Sequence, residues 1–354
     1  MKMPVRSVQL PLPASVREIA AAIAFASLVV GCSSDPSRVV GPASIGDPSG
    51  GSTTGPASAA SAGNPMNGAI FWVSSSSPAR RTADSWRASR PADASQLDKI
   101  AAQPHVFWLG SWNREVRADV DAVMRTMSEG GALPVLVAYN IPQRDCGGLS
   151  GNTGTTPSAY RAWIAEFAAG IGSRRATVIL EPDALAGIDC LTAADQSQRL
   201  ALLSYAVATL RASGSVSVYL DGGNPGWRTA ATMASRLARS GIALAQGFAL
   251  NVSNFIGTSE NVAYGSELSS LVGGKHFIID TGRNGTGAAP DKQWCNPAGR
   301  ALGPTPTART NIALVDAFLW VKAPGISDGA CGGAAAVGEW MPEYALGLAQ
   351  RAAY

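Results

Sequence analysis

Short apolar runs that alternate with amphipathic stretches are the feature that most limits how this chain can fold. In stretches such as Ala159–Ile171 and Gln198–Ala212, large apolar side chains recur at intervals of three and four residues, which is the spacing of one helix face. Strands that alternate with helices pair in parallel, and without a Gly-x-Gly-x-x-Gly turn they favour a barrel over a doubly wound sheet. The predicted fold is therefore α/β, a TIM-like parallel (β/α) barrel. The predicted strands are Ala69–Val73, Val106–Leu109, Val135–Tyr139, Thr177–Leu180, Ser217–Leu220, Gly247–Leu250, Phe277–Ile279 and Ala317–Val321.

Polar side chains follow most of these strands at the point where each strand ends. In a parallel barrel all such ends face one mouth, so residues that are far apart in the chain converge there. A mouth lined with carboxylates predicts acid/base chemistry. Taken singly, each of these residues could instead cap a helix or sit in a turn. The strand-end residues are Arg144, Asp145, Asp183, Asp221, Asn251, Asn254, Asp280 and Asp328.

Tryptophans at or just beyond strand ends indicate the class of substrate. Flat aromatic faces stack on the apolar faces of sugar rings, and paired carboxylates among such rings are typical of a glycosidase. The alternative is that the rings cover the rim of the barrel, which is favoured for Trp320 because it lies within its predicted strand. The four tryptophans concerned are Trp112, Trp227, Trp294 and Trp320.

The first 32 residues have the pattern of a secretory signal, in which basic residues precede a short apolar run, Ile19–Val30. The sequence that follows, Gly31-Cys32, resembles a bacterial lipoprotein cleavage site, at which Cys32 would carry the lipid. Ordinary cleavage nearby is the alternative. The mature protein is therefore expected outside the cytoplasm, either as a lipoprotein tethered to the membrane of the cell envelope or as a secreted protein.

Residues 33–66 are rich in Ser, Gly, Pro, Ala and Thr and nearly lack large apolar side chains, so they predict a disordered linker. Residues 67–354 then form the catalytic barrel domain, for which a monomer is expected. The net charge is +3, and the basic residues are scattered rather than clustered. This distribution gives no indication of a nucleic-acid partner.

Four further cysteines predict two disulfides, because an even number in an exported chain indicates pairing. Zinc binding is the rival interpretation, but the cysteines lack Cys-x-x-Cys spacing, and His105 and His276 are isolated. Neither a metal nor a cofactor is predicted. The cysteines are Cys146, Cys190, Cys295 and Cys331.

Seven segments in a fixed order carry a family resemblance that covers residues 68–354. They are VAYNIPQRDC (137–146), VILEPDALAG (178–187), YLDGGNPGW (219–227), NVSNF (251–255), IIDTGRNG (278–285), WCNPAGR (294–300) and DAFLWVKAPGISDGAC (316–331). In these segments the chain resembles glycoside hydrolase family six, the cellulase family of inverting endoglucanases and cellobiohydrolases. The resemblance implies hydrolysis of β-1,4-glucosidic bonds in cellulose or related β-glucans. The lack of long insertions across 182–200 and between Cys295 and Cys331 favours endo-acting attack. It also implies a distorted barrel of seven parallel strands, so that one of the eight predicted strands is not part of the barrel.

The resemblance implies a role for each of four aspartates. Asp183 matches the family's general acid, and Asp145 matches the residue that helps to keep this acid protonated. Asp328 matches the candidate base, and Asp221 matches a further aspartate required near the cleavage point. The positions that match sugar contacts are Tyr139, Trp227, Asn251, Trp294 and Lys322.

Two departures from the family pattern leave a second hypothesis open. Asn224 stands where the family usually has His, and Ile326 stands where it usually has Glu. The alternative is a catalytically weakened barrel that binds glycan at the cell envelope. The presence of all four aspartates favours the enzyme.

The expected disulfides are Cys146–Cys190 and Cys295–Cys331. The first would join the loops that carry Asp145 and Asp183, which follow adjacent strands. The second would join the neighbourhoods of Trp294 and Asp328. Other pairings would link more distant parts of the rim, at separations that a disulfide rarely spans.

Overall fold

A computed structural model of the protein describes residues 63–151 and 154–354. The predicted signal sequence, the lipidation site at Cys32 and residues 33–62 of the predicted linker lie outside the described residues. None of the helices in the described part of the chain is both long and apolar enough to cross a membrane.

Among residues 63–151 and 154–354, seven parallel strands form one curled sheet, and their order in the sheet is their order in the chain. This α/β arrangement is the distorted, TIM-like barrel that the sequence predicted. Each strand pairs in parallel with the next, as in the register of Leu136 with Val178. The strands are β1 Phe107–Gly110, β2 Val135–Tyr139, β3 Ala176–Leu180, β4 Val216–Asp221, β5 Gly247–Leu250, β6 His276–Asp280 and β7 Val315–Leu319.

One predicted strand is wrong: Ala69–Val73 is irregular and lies outside the sheet. Its alternation of apolar residues resembles a strand, but Ile70 is 63% exposed. The Ile70 carbonyl accepts one hydrogen bond, from Leu133 N at 2.8 Å, just before β2 begins. The end of β7 also differs from the predicted end at Val321, because the strand stops at Leu319 and Trp320 lies beyond it.

In the described part of the chain eight α-helices accompany the strands, and several begin at residues suited to that position. Thr156 and Thr192 each accept a hydrogen bond from a backbone N–H in the first turn of the helix they precede. Such caps satisfy amide groups that have no partner within the helix. The helices are α1 Pro78–Trp86, α2 Pro91–Ala101, α3 Val116–Ser128, α4 Pro157–Ile171, α5 Ala193–Arg211, α6 Ala230–Ala238, α7 Thr258–Leu271 and α8 Pro342–Gln350.

Alternate residues of each strand fill two separate apolar layers. Val137, Ile179 and Tyr219 belong to a cluster inside the barrel, whereas Leu136 and Val178 pack in the larger layer between the sheet and the helices. Since side chains alternate between the faces of a strand, the register determines both layers. The interior is therefore filled, and a polar site is confined to the ends of the strands.

The barrel is open between its first and last strands, since no backbone pairing joins β1 to β7 within the described residues. A side chain spans this gap: Trp108 donates from Nε1 to the carbonyl of Val321 at 2.8 Å. Trp108 belongs to β1, and Val321 follows β7.

A buried carboxyl group joins three strands in the amino-terminal half of the barrel. Asp316 accepts a hydrogen bond from the Tyr219 hydroxyl at 2.5 Å and contacts His276 Nδ1 at 2.7 Å. Asp316 is 1% exposed. The contacts connect β4, β6 and β7, and both His276 and Asp316 lie at the amino-terminal ends of their strands.

Replacing Asp316 with Asn should lower the free energy of unfolding by about 1–3 kcal/mol, because an amide cannot accept from both partners as the carboxyl group does. Urea unfolding followed by circular dichroism would measure this change. An unchanged midpoint would show that this contact contributes little to the stability of the barrel.

Candidate active site

The loop after β3 turns sharply and brings Asp183 to the mouth of the barrel. Glu181 and Asp183 both have positive φ values, 51° and 69°. This left-handed region is uncommon for residues other than glycine and is found at functional sites more often than elsewhere. The backbone N–H of Asp183 donates to Asp221 Oδ1 at 3.2 Å. The turn is thus held from the neighbouring strand β4.

The Asp183 carboxyl group holds its proton unusually well. The side chain is only partly covered, but the surrounding protein atoms desolvate it, and this burial is the largest cause that raises its pKa to about 7. The negative charge of Asp145 adds to the rise, and Lys322 opposes it. Among the described residues, no group donates a hydrogen bond to this carboxyl group. Asp183 can therefore be a proton donor near neutral pH.

Asp145 lies in the loop after β2, with one oxygen held by Ser150. Asp145 Oδ2 accepts from both the backbone N–H and the hydroxyl of Ser150, each at 3.0 Å. The Ser150 hydroxyl also lies 2.9 Å from the Tyr139 hydroxyl at the end of β2. Burial, and to a smaller extent the charge of Asp183, raises the pKa of Tyr139.

Asp221 ends β4 and is buried beneath Asp183. Its Oδ1 accepts from the backbone N–H groups of Asp183 and Gly223, at 3.2 and 3.1 Å. Burial raises the pKa of Asp221 well above the usual value, and the charge of Asp183 adds to this effect. Its contacts are those of a residue that holds the acid in place.

Asp328 lies on the other side of the mouth, between two cations. Arg283 Nη1 donates to Asp328 Oδ2 at 2.7 Å, and Lys322 Nζ is 3.4 Å from Oδ1. The backbone N–H of Asn296 also donates to Oδ2, at 3.1 Å. Burial alone would raise the pKa of Asp328, but the charges of Arg283 and Lys322 outweigh it and lower the pKa. Asp328 is therefore ionised at a pH at which Asp183 retains its proton.

Two other carboxylates at strand ends bind backbone amides instead of facing the mouth. Glu181 accepts from Asn140 N and Ile141 N. Asp280, at the end of β6, accepts from N–H groups of the loops after β5, β6 and β7. Both side chains are at most 2% exposed. Asp280 was expected at the mouth, but its carboxylate is fully engaged by these loops.

Three tryptophans near the mouth are exposed: Trp112 by 37%, Trp227 by 38% and Trp294 by 55%. Trp227 packs beside Gly187 in the loop that carries Asp183. Trp320 is completely buried and donates to the carbonyl of Pro304, so it belongs to the scaffold. The exposed rings offer flat apolar faces of the kind that stack on sugars.

Asn251 is the predicted sugar contact that the structure places differently. The residue is fully buried. Its Nδ2 donates to the carbonyl of Asp280 at 2.8 Å, and its Oδ1 accepts from Ile256 N at 3.1 Å. Its amide thus holds the loop after β5. Its positive φ of 63° turns the chain here, which the sequence pattern did not indicate.

The two predicted disulfides are present. Cys146 is bonded to Cys190, and Cys295 is bonded to Cys331, with Cα–Cα distances of 6.2 and 6.3 Å. The first bond connects the loops of Asp145 and Asp183. No group of three or more His, Cys, Asp or Glu side chains in the described part of the chain could hold a metal ion.

Four residues that shape the site were not singled out from the sequence. Ser150 binds Asp145, Arg283 and Asn296 bind Asp328, and Glu181 holds the loop after β2. Glu181, Arg283 and Asn296 occur inside the segments that carry the family resemblance, and this position in the sequence could have indicated that they belong to the site.

The family model for glycosyl hydrolases family 6 matches residues 66–352. The chain belongs to this family. The match covers nearly all of the described residues, including each of the four aspartates at the mouth.

Relatives of the chain include bacterial endoglucanases. Endoglucanase 1 of Streptomyces halstedii is 42% identical over 302 residues, which are 82% of this chain and 91% of the relative. Endoglucanase A of Cellulomonas fimi is 43% identical over 270 residues, which are 75% of this chain but only 58% of that relative. The solved structure of endoglucanase Cel6 from Mycobacterium tuberculosis superposes with a TM-score of 0.77 at 42% identity, covering 81% of this chain and 98% of that one.

Replacing Arg283 with Met should raise the pKa of Asp328 by about one unit or more, because a nearby cation favours the charged form of a carboxyl group. A carbon-13 NMR titration of labelled aspartate carboxyl groups would measure the change. Arg283→Lys is the matched control, since it keeps the charge and should give a smaller rise. Equal pKa values for Asp328 in the wild type and in Arg283→Met would contradict this account.

Proposed function

We propose that this chain hydrolyses β-1,4-glucosidic bonds of cellulose or related β-glucans with inversion of configuration. The observation that carries the proposal is the opposite shift of two carboxyl groups at one mouth. The pKa of Asp183 is raised by burial and by Asp145, and the pKa of Asp328 is lowered by two cations that outweigh its burial. Such a pair supplies one acid and one base at the same pH.

Asp183 is the general acid in this proposal. Its proton goes to the glycosidic oxygen of the leaving sugar as the bond from that oxygen to the anomeric carbon breaks. Asp145 acts on Asp183 through its negative charge, which makes loss of the proton less favourable. Asp221 holds the backbone of Asp183 and so fixes the direction from which the proton is delivered.

Asp328 is the base. A water molecule forms the new bond to the anomeric carbon from the opposite face of the sugar, and its proton leaves towards the Asp328 carboxylate, either directly or through a second water. The ion pairs with Arg283 and Lys322 keep this carboxylate ionised. Those cations also restrict its position, which suits a role in orienting the water.

The proposed sugar contacts are Tyr139 and Lys322 beside the acid and base, and Trp227 and Trp294 further out. Asn251 is left out of this set because its amide is buried and already bonded. A β-glucan substrate is supported by the M. tuberculosis neighbour, whose solved complex contains methyl-cellobiosyl-4-deoxy-4-thio-β-D-cellobioside. The weakened glycan-binding barrel is not favoured, since the acid and the base both have suitable surroundings.

Export of the protein is supported by the two disulfides, which form and persist in oxidising compartments. Attachment to a membrane through a lipid on Cys32 and a monomeric state remain predictions from the sequence.

Asp183→Ala should abolish the release of reducing sugar from carboxymethylcellulose and from mixed-linkage glucan, with a loss of about 10²–10⁴-fold or more. Asp145→Asn should retain part of the activity. Removing its charge lowers the pKa of Asp183, so the alkaline limb of its pH profile should move to lower pH. Near-normal rates for Asp183→Ala would refute the proposed acid.

Attack inside the polymer is expected, because the segments 182–200 and 295–331 lack long insertions that would roof the cleft. The viscosity of carboxymethylcellulose should therefore fall rapidly while little reducing sugar has been released. Early products that are almost entirely cellobiose, at unchanged viscosity, would instead indicate attack from the chain ends. Asp183→Ala protein serves as the control for loss of viscosity without hydrolysis.

A further inference from the structure

We infer that Glu181 is a positioning residue for the reaction: by binding the backbone of the loop after β2, its buried carboxylate sets the separation between Asp145 and Asp183. The inference rests on the proposed function, because it assigns Asp183 the role of acid and Asp145 the role of its helper. It concerns a side chain that takes no part in the proton transfers described above.

The contacts of Glu181 connect the loops after β2 and β3. Its Oε1 accepts from Asn140 N at 2.9 Å, and its Oε2 accepts from Asn140 N and Ile141 N, both at 3.0 Å. Asn140 directly follows the end of β2, five residues before Asp145. Glu181 lies two residues before Asp183, so one side chain links the origins of both catalytic loops.

A carboxylate suits this place better than any neutral side chain. Both of its oxygens accept hydrogen bonds from backbone N–H groups, and the buried Tyr160 hydroxyl, which can also donate, lies close to the carboxylate. A Gln amide has nearly the same shape but would turn an NH₂ group towards one of these donors, leaving a buried donor without an acceptor. Burial raises the pKa of Glu181 to about 7, while the backbone N–H groups and Arg144 oppose this rise.

Two further contacts connect the loops after β2 and β3, but neither lies at the strand ends, where Glu181 binds. The disulfide Cys146–Cys190 joins the loops beyond the catalytic residues. Arg199 of α5 donates to the carbonyls of Pro142, Gln143 and Ala184, and so connects the same two loops. Glu181 is the link at the strand ends, so its loss should let the loop after β2 shift while the outer links persist.

A change in this separation has a measurable chemical consequence. The charges that shift the pKa of Asp183 are those of Asp145, Lys322 and Asp328, and Asp183 also interacts electrostatically with the buried Asp221 beneath it. Interaction between charges falls with distance, so a larger separation from Asp145 lowers the pKa of Asp183. Glu181 acts through the position of Asp145 and not through its own charge.

The test is the pH dependence of kcat on carboxymethylcellulose for the wild type, Glu181→Gln and Glu181→Asp. Both variants should show a lower kcat and an alkaline limb displaced to lower pH by about half a unit. Glu181→Asp retains the charge but is one methylene shorter and cannot reach both N–H groups. It therefore distinguishes the effect of losing the hydrogen bonds to the backbone from the effect of losing the negative charge. It also provides a second variant if Glu181→Gln does not fold.

Two controls make the test specific. Asp316→Asn removes a buried carboxyl group at the other end of the barrel, so it should lower stability and leave the alkaline limb unchanged. In an Asp145→Asn background, Glu181→Gln should displace the limb no further, since the charge whose position Glu181 controls is gone.

An alkaline limb that stays in place in folded Glu181 variants would overturn the inference, as would an equal displacement in the Asp145→Asn background. With Asp183→Ala inactive, either result rejects the role of Glu181 alone and leaves the proposed function standing. Activity in Asp183→Ala would reject the proposed function and the inference with it.

Discussion

The site depends on how the fold compensates carboxylates that are buried where parallel strands end. An uncompensated buried charge destabilises a protein strongly, so each needs hydrogen-bond donors or cations, or else keeps a proton. Backbone N–H groups of adjacent loops compensate Glu181, Asp221 and Asp280, and two cations compensate Asp328. Within the described residues, the carboxyl group of Asp183 accepts no hydrogen bond. Burial also raises the pKa of Glu181 and of Asp221, but their carboxyl groups are bound to backbone N–H groups, so Asp183 is the residue among them that is free to transfer a proton.

The groups that compensate the carboxylates also make the two sides of the mouth electrostatically different. The two cations that meet Asp328 come from the segments after β6 and β7, on one side of the barrel. On the other side, Arg144 is engaged by the carbonyls of Tyr139 and Ser150 and supports the loop of Asp145. A substrate that lies across the mouth therefore meets a protonated group on one side and an ionised group on the other.

Much of this arrangement could be predicted from the sequence, because periodicity and local motifs determine which elements form and in what order. The seven barrel strands and both disulfides were found in this way. The direction in which a side chain leaves a strand end is harder to predict, since it depends on backbone torsion and on partners distant in the chain. Asn251 and Glu181 both have positive φ values, and both point into the protein. The prediction of a strand at Ala69–Val73 was wrong for another reason, because an alternating pattern does not by itself supply a neighbouring strand with which to pair.

The two disulfides also bear on how the chain reaches this structure. Their cysteines are 44 and 36 residues apart, and the two closed segments neither overlap nor enclose one another. Each bond lies within a stretch of chain that forms neighbouring parts of the barrel. Correct oxidation of one pair of cysteines therefore does not require the segment of the other pair to have folded, so the two bonds can form independently. Mispairing between them would need contacts between distant segments, which form late because long loops are costly to close.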